Sequence, residues 1–243
     1  MPRARKRKAV ILAGGLGQRL KHLLAAIPKP MAPAAGRPFI EWVIRYLARQ
    51  GVKEIAISTG YLAESISQYA GQMRFSGVEI RCAAEEKALG TAGGFLNAVT
   101  GRTGPEDCWL VCNGDSLALA PLEPLYAAIK SPAVQGAVLG LALAQTPRYG
   151  SLREDAEGFL SHFIEKQPGQ GLINAGIYLL SAGLIARFPA HRPLSFETDV
   201  FPGLLRQGAK IKVCPVEAPF LDIGTEETLK QADAFIAANR AAF

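Results

Sequence analysis

The residues with the most chemical content lie near the start of the chain. In Leu12-Ala13-Gly14-Gly15-Leu16-Gly17-Gln18-Arg19-Leu20, an apolar run opens into a glycine-rich loop and then an arginine. Glycines let backbone N–H groups approach phosphate oxygens closely, and the guanidinium adds a bidentate charged donor. Ten residues after Arg19 comes Lys29, in Pro28-Lys29-Pro30-Met31, where two prolines stiffen the backbone around one flexible ammonium. Both segments suit a phosphorylated ligand. Neither decides the matter alone: the loop also reads as a bare structural turn, and a single lysine as solvated surface. The loop is not a P-loop, because no Gly-Lys-Ser/Thr closes it. It also lacks the third glycine of a dinucleotide fingerprint, with Arg19 and Leu20 standing there. Further along, Asn113-Gly114-Asp115 and Leu221-Asp222 each place a carboxylate after an apolar run. An aspartate there caps a turn or offers oxygen ligands to a cation. The two lie 107 positions apart, so only the fold can bring them together. His22, His162 and His191 show no partner pattern and are given no catalytic role.

Such side chains need rigid elements to hold them, and the pattern supplies candidates. Lys8-Ala9-Val10-Ile11-Leu12 is a continuous apolar run that fits a strand covered on both faces. Phe39, Ile40, Val43, Ile44 and Leu47 follow helical spacing, with Gly51 as the stop. Strands over 54–58, 78–82 and 108–112 alternate with helical stretches over 61–69 and 91–99. That rhythm predicts βαβ units and a mostly parallel sheet. After about residue 130, strand patterns over 135–144, 158–165 and 172–180 follow with little helix between them, as in a sheet extended by mixed-direction strands or a small second lobe. A last helix is predicted from Thr225 as N-cap, with Leu229, Ala232 and Ile236 as its buried stripe. The expected fold is therefore α/β: a Rossmann-like, mixed but mostly parallel sheet flanked by helices, with a small additional β-rich lobe.

Composition sets the bounds. The chain has 243 residues, 49% hydrophobic and 20% charged, the balance of a globular protein, and no apolar stretch long enough to span a membrane. Of 27 basic side chains, five (Arg3, Arg5, Lys6, Arg7 and Lys8) fall in the first eight residues, leaving 22 against 21 acidic ones. The folded body is near neutral, which argues against nucleic acid as a partner. Residues 1–8 read as a basic tail rather than a signal peptide, since the apolar stretch behind them is short and runs into glycines. Cys82, Cys108, Cys112 and Cys214 lack metal or disulfide spacing and read as free thiols of a cytoplasmic protein.

Taken together the motifs resemble those of the sugar nucleotidyltransferases, the nucleoside-diphosphate-sugar pyrophosphorylases. Their pattern runs from a Gly-Gly-x-Gly-x-Arg-Leu loop to Pro-Lys-Pro-Met/Leu. The remaining landmarks follow in order: Leu89-Gly90-Thr91-Ala92-Gly93, Asn113-Gly114-Asp115, Glu165-Lys166, Ile173-Asn174-Ala175-Gly176-Ile177-Tyr178 and Leu221-Asp222-Ile223-Gly224-Thr225. The resemblance covers about residues 8–240. Pro28 to Pro33, Asn174 to Tyr178 and Ser195-Phe196-Glu197 look most like the D-glycero-α-D-manno-heptose 1-phosphate guanylyltransferases. Gln18 departs from the threonine common in the family, and Ala88 from its usual proline.

The resemblance implies a reaction in which a sugar 1-phosphate oxygen attacks the α-phosphorus of GTP and pyrophosphate leaves in line. It implies one nucleotidyltransferase domain over 9–243, with a nucleotide-binding part to about 130 and a sugar-phosphate part beyond. Arg19 and Lys29 would stabilise phosphate charge, and Asp115 and Asp222 would hold Mg²⁺. Leu12, Ala13, Gly14, Gly15, Gly17, Gly90, Thr91 and Asn113 would line the nucleotide. Glu165, Lys166, Asn174, Gly176 and Gly150 would meet the sugar phosphate. A carboxylate can accept from guanine N1–H and its 2-amino group together, so Glu85, or else Glu86, would select the base. Glu197 and Asp199 would lie near the sugar or simply cap a helix. GTP and a sugar 1-phosphate are the implied partners, with no nucleic acid or membrane, and with room for a homo-oligomer. Mannose-1-phosphate guanylyltransferases, and then thymidylyl or uridylyl transferases, are the nearest alternatives. A non-catalytic regulatory homologue would be expected to lack some of Arg19, Lys29, Asp115, Lys166 and Asp222, and all five are present. An NAD-dependent oxidoreductase is disfavoured by the incomplete glycine fingerprint.

Overall fold

The computed structural model describes residues 6–15, 17–20, 22–24, 27–143, 149–164 and 171–243. The first half alternates strand and helix as the apolar runs require. β1 (Arg7–Ala13) leads through 3₁₀ turns at Gln18–Leu20 and Lys29–Met31 to a small hairpin, β2 (Pro33–Ala34) and β3 (Arg37–Pro38), and then α1 (Phe39–Arg49). β4 (Val52–Thr59), α2 (Ala63–Gln72), β5 (Glu79–Ala84), α3 (Thr91–Val99) and β6 (Cys108–Asn113) follow. β1 pairs in parallel with β4 on one side and β6 on the other, and β4 pairs in parallel with β5. The chain thus moves outward from β1 to β5 and then returns across β1 to β6. The crevice at the carboxyl ends of β1 and β6 is the reversal point at which open α/β sheets hold ligands.

β7 (Ser116–Ala118), α4 (Glu123–Ala128), β8 (Gly136–Leu143), β9 (Ser151–Glu154), β10 (Leu160–Ile164) and β11 (Gly171–Ser181) come next. Then follow α5 (Ala182–Ile185), a π turn at Phe196–Val200, α6 (Phe201–Arg206), β12 (Ile211–Val216), β13 (Phe220–Asp222), α7 (Glu226–Lys230) and α8 (Ala232–Ala238). β11 is the hinge of this half. It runs antiparallel to β6, β8 and β9, while β12 adds in parallel to β8. Among the described residues, nine strands form one mixed sheet, and β7–β13 and β2–β3 make two small sheets beside it.

Burial follows the period of two. Ala9, Ile11 and Ala13 of β1 face a core built with α1, α2 and α8, while Val10 faces one built with α3 and α6. Thr225 caps the final helical segment, and Thr228 returns the bond to its backbone. Gln231 divides the expected single helix into α7 and α8, with Ala232 and Ile236 buried. All four cysteines are free thiols.

A buried charge braces α1. Glu41 is 3% exposed, accepts from Arg37 Nη1 at 2.7 Å and Arg45 Nε at 2.8 Å, and also takes the Tyr69 hydroxyl. Burial pushes its pKa up, but Tyr69 and the two arginines outweigh that and hold it below the usual range. Because the folded carboxyl is the stronger acid, its stabilisation is present at neutral pH and is lost as pH falls through that lowered pKa. Glu41→Gln is expected to cost about 3 kcal/mol at neutral pH. In urea titrations the difference from wild type should shrink below about pH 4.3, the ordinary glutamate value. A difference independent of pH would contradict this account.

Candidate active site

The cleft at the β1/β6 crossing has a volume of about 560 Å³. β1 and β6 place Leu12 opposite Asn113, and Gly114 N donates to Leu12 O at 2.9 Å. The glycine loop therefore opens beside Asn113-Gly114-Asp115. A side chain on Gly114 would bring Cβ within 2.9 Å of Leu12 O, so this close approach needs glycine. Leu20, buried, anchors the turn that carries exposed Arg19. Gly17 takes φ +56°, and its missing Cβ would lie 3.2 Å from Lys29 Cβ. The glycine loop and the proline-flanked lysine are thus in direct contact.

The two distant aspartates meet through β7 and β13. Asp222 pairs with Ser116 in that small sheet, and Ile223 N donates to Asp115 O at 3.0 Å. Lys29 Nζ stands between the carboxylates, 2.8 Å from Asp115 Oδ2 and 3.5 Å from Asp222 Oδ1. The lysine side chain is 14% exposed, against 35% for Asp115 and 22% for Asp222. Leu12, Ala13, Gly15, Gly17, Arg19, Asn113 and Asn174 line the same cleft with these three.

On the far wall β11 bulges. Its register with β8 shifts between Asn174 and Tyr178, and Gly176 there adopts φ +70°. A Cβ on Gly176 would collide with the Asn113 amide. Asn174 is held from both ends: its Oδ1 accepts from Gly176 N at 2.8 Å and its Nδ2 donates to Tyr178 Oη at 2.7 Å. Asn174 N donates to Gly150 O at 2.7 Å, which ties Gly150 to this wall.

Glu85, Gly90 and Thr91 form a second group behind Gly14. Glu85 Oε1 accepts from Ser58 Oγ at 2.9 Å and Oε2 from Leu89 N at 3.0 Å. A Cβ on Gly14 would lie 2.9 Å from Oε1, and one on Gly94 would collide with it. The carboxylate therefore sits in a cradle that only glycines leave open. Glu86 is exposed. Thr91 Oγ1 donates to Glu197 Oε2 at 3.0 Å and accepts from Phe196 N at 2.9 Å, joining this group to the Ser195–Asp199 segment. Ser195, not Glu197 or Asp199, is the cap of that turn. Glu165 and Lys166 lie outside the described residues.

Tyr149 and Phe220 also line the cleft, their rings meeting edge to face at 5.3 Å, and Ser116 and Gly224 complete it. None of these four stands among the sequence-derived site residues. Their signal was adjacency: Tyr149 precedes Gly150, Ser116 follows Asp115, and Phe220 and Gly224 flank Asp222. Among the described residues, no group of three or more His, Cys, Asp or Glu side chains forms a ligand cluster, and no helix is long and apolar enough to cross a membrane.

The chain is 34% identical over 224 residues to D-glycero-alpha-D-manno-heptose 1-phosphate guanylyltransferase of Campylobacter jejuni, covering 90% of this chain and 96% of that one. It is 35% identical over 230 residues to mannose-1-phosphate guanylyltransferase of Mycobacterium tuberculosis, covering 93% of this chain and 63% of the relative. Among solved structures, HddC from Yersinia pseudotuberculosis complexed with GMP-PN superposes with a TM-score of 0.79 at 32% identity, covering 93% of this chain and 97% of that one. The nucleotidyl transferase family pattern matches residues 8–239, and the chain belongs to that family.

Proposed function

We propose that the protein transfers the guanylyl group of GTP to a sugar 1-phosphate, D-glycero-α-D-manno-heptose 1-phosphate foremost, with release of pyrophosphate. The carrying observation is the carboxylate–ammonium–carboxylate group of Asp115, Lys29 and Asp222 at the sheet's reversal point. Two polyanions must meet in this reaction, so the site has to neutralise charge and fix geometry.

Arg19 and Lys29 would stabilise the α-phosphate and the leaving pyrophosphate. The glycine loop would offer its N–H groups to the nucleotide, with Leu12, Ala13, Gly90, Thr91 and Asn113 around it. Asn174, Gly176 and Gly150 would meet the sugar, Glu165 a hydroxyl and Lys166 the sugar phosphate. The division of labour would run from 9–130 for the nucleotide to 131–243 for the sugar phosphate. Asp115 and Asp222 fit a divalent cation, since an ammonium already stands as a cation between their oxygens. Two carboxylates plus substrate phosphates is a usual Mg²⁺ ligand set. When bound, Mg²⁺ would offset phosphate charge. The setting would be cytoplasmic synthesis of a nucleotide sugar for a surface polysaccharide.

The assay is pyrophosphate release from GTP and Mg²⁺, with the heptose 1-phosphate and mannose 1-phosphate in parallel. Faster turnover of the heptose supports the proposal. Faster turnover of mannose would favour the second reading, which rests on the mycobacterial relative. No release with either sugar would count against the sugar or the nucleotide assignment, and dTTP, UTP and ATP would be compared next.

Base choice is assigned to Glu85. Ser58 and Leu89 each take one lone pair of its carboxylate, and in this reading the remaining pairs would accept from guanine N1–H and the 2-amino group. Glu85→Gln is expected to lower kcat/KM for GTP by roughly 100-fold and that for UTP by less than about 3-fold, since an unmet buried donor is penalised only with guanine. Equal losses for both nucleotides would refute the assignment. Exposed Glu86, changed to Gln, is the control.

A further inference from the structure

Lys29 contacts both carboxylates that would hold a metal. Its Nζ lies 2.8 Å from one carboxylate and 3.5 Å from the other. Mg²⁺ held by Asp115 and Asp222 would need these same carboxylate oxygens, so it would compete with the ammonium for them. The ammonium is also well placed to persist without ligand. Prolines at 28 and 30 fix the lysine backbone, with Pro30 buried, and Gly17 packs against its Cβ.

We infer that Lys29 excludes divalent metal from Asp115 and Asp222 until nucleotide phosphates draw its ammonium away. This deepens the proposed function and rests on its reading that the two aspartates hold the metal. The side chain has four flexible bonds, and Arg19, Gly15 and Gly17 line the same cleft. A triphosphate bound there offers the ammonium new anionic partners. Once it turns toward them, the carboxylates are released to the metal. Nucleotide and metal then bind with positive coupling, and linkage requires that each strengthens the other. The free protein would carry little metal even where Mg²⁺ is abundant. A lysine given only a phosphate-binding role has no such effect on the empty protein.

The test is Mn²⁺ binding to the nucleotide-free full chain, read from the electron paramagnetic resonance signal of free aqueous Mn²⁺. Wild type is expected to bind in the millimolar range. Lys29→Met should bind at least about 10-fold more tightly, the effect of losing one or two partly buried ion pairs. Lys29→Met combined with Asp222→Asn should lose that gain. Lys29→Gln serves as the second variant should the methionine fold poorly. Equal Mn²⁺ affinity in wild type and the Lys29 variants overturns the inference. So does tight binding by wild type that Asp222→Asn abolishes, a result that needs no Lys29 variant. Failure of the underlying reading looks different: Asp222→Asn would then leave the divalent-ion dependence of pyrophosphate release unchanged. If that dependence is lost while Lys29→Met binds Mn²⁺ as wild type does, the exclusion alone is wrong.

Discussion

Asp222→Asn is expected to slow pyrophosphate release from GTP by about a thousandfold, with a melting temperature within a few degrees of wild type. The substitution keeps the shape and removes the charge. Shape matters here because the carboxylate lies against Gly224, whose Cβ would fall 2.9 Å from Oδ1. An amide of the same size fits that space. Charge matters because Asp222 and Asp115 together face the ammonium and, in the proposed reaction, the metal. Folding should suffer little, since β13 keeps its pairing with β7 and Lys29 keeps its shorter bond to Asp115. Quench-flow or coupled pyrophosphate assays at saturating GTP measure the rate, and calorimetry the stability. A loss below about 10-fold, the scale of a screened surface charge, would remove Asp222 from the chemistry.

That pair of aspartates marks the boundary of what a single sequence discloses. The strands that carry the site were legible because each is a short apolar run ended by glycine or a polar turn. β1, β4 and β6 lie where the runs predict, and Thr225 caps where its spacing suggests. β9 was missed because only Leu152 of its four residues is buried, and β12 because Pro215 interrupts an otherwise convincing run. Both strands are recruited by the long β11 and its partner β8 rather than by their own pattern. The site divides the same way. Gly14 to Arg19 and Pro28 to Pro30 announce themselves by local chemistry. That Gly17 touches Lys29, that Lys29 joins both carboxylates, and that Ser58 holds Glu85 are relations across 12 to 193 positions. No window along the chain contains them. Tyr149 and Phe220 are marked in sequence only by adjacency to Gly150 and Asp222, because an aromatic pair formed across 71 positions looks like two ordinary core residues.

Gly90 supplies the sharpest test of how such distant relations hold the site together. It opens α3 at φ +77° and ψ 170°, a region open essentially to glycine alone. Its missing Cβ would stand 2.5 Å from Leu194 O and 2.9 Å from Leu194 N. Leu194 is not free to retreat. Its carbonyl accepts from Ala92 N at 2.9 Å and Gly93 N at 3.1 Å, and its own N–H donates to Leu89 O at 2.8 Å. Those bonds pin the Ser195–Asp199 turn to the start of α3, where Thr91 and Glu197 meet. Gly90→Ala therefore adds backbone strain and a backbone collision at once, and is expected to cost about 3–5 kcal/mol. For a chain of this size that corresponds to a fall in melting temperature of roughly 10 °C. Gly101 separates the two contributions. It also has positive φ, +70°, but nothing lies within 4 Å of its Cβ position. Gly101→Ala should show the conformational cost alone, about 1–2 kcal/mol. Equal destabilisation in the two variants would mean that the contact between Gly90 and Leu194 yields without cost. A larger loss at Gly90, with GTP turnover falling beside it, would mean that one close backbone approach ties the proposed nucleotide side of the cleft to the sugar side.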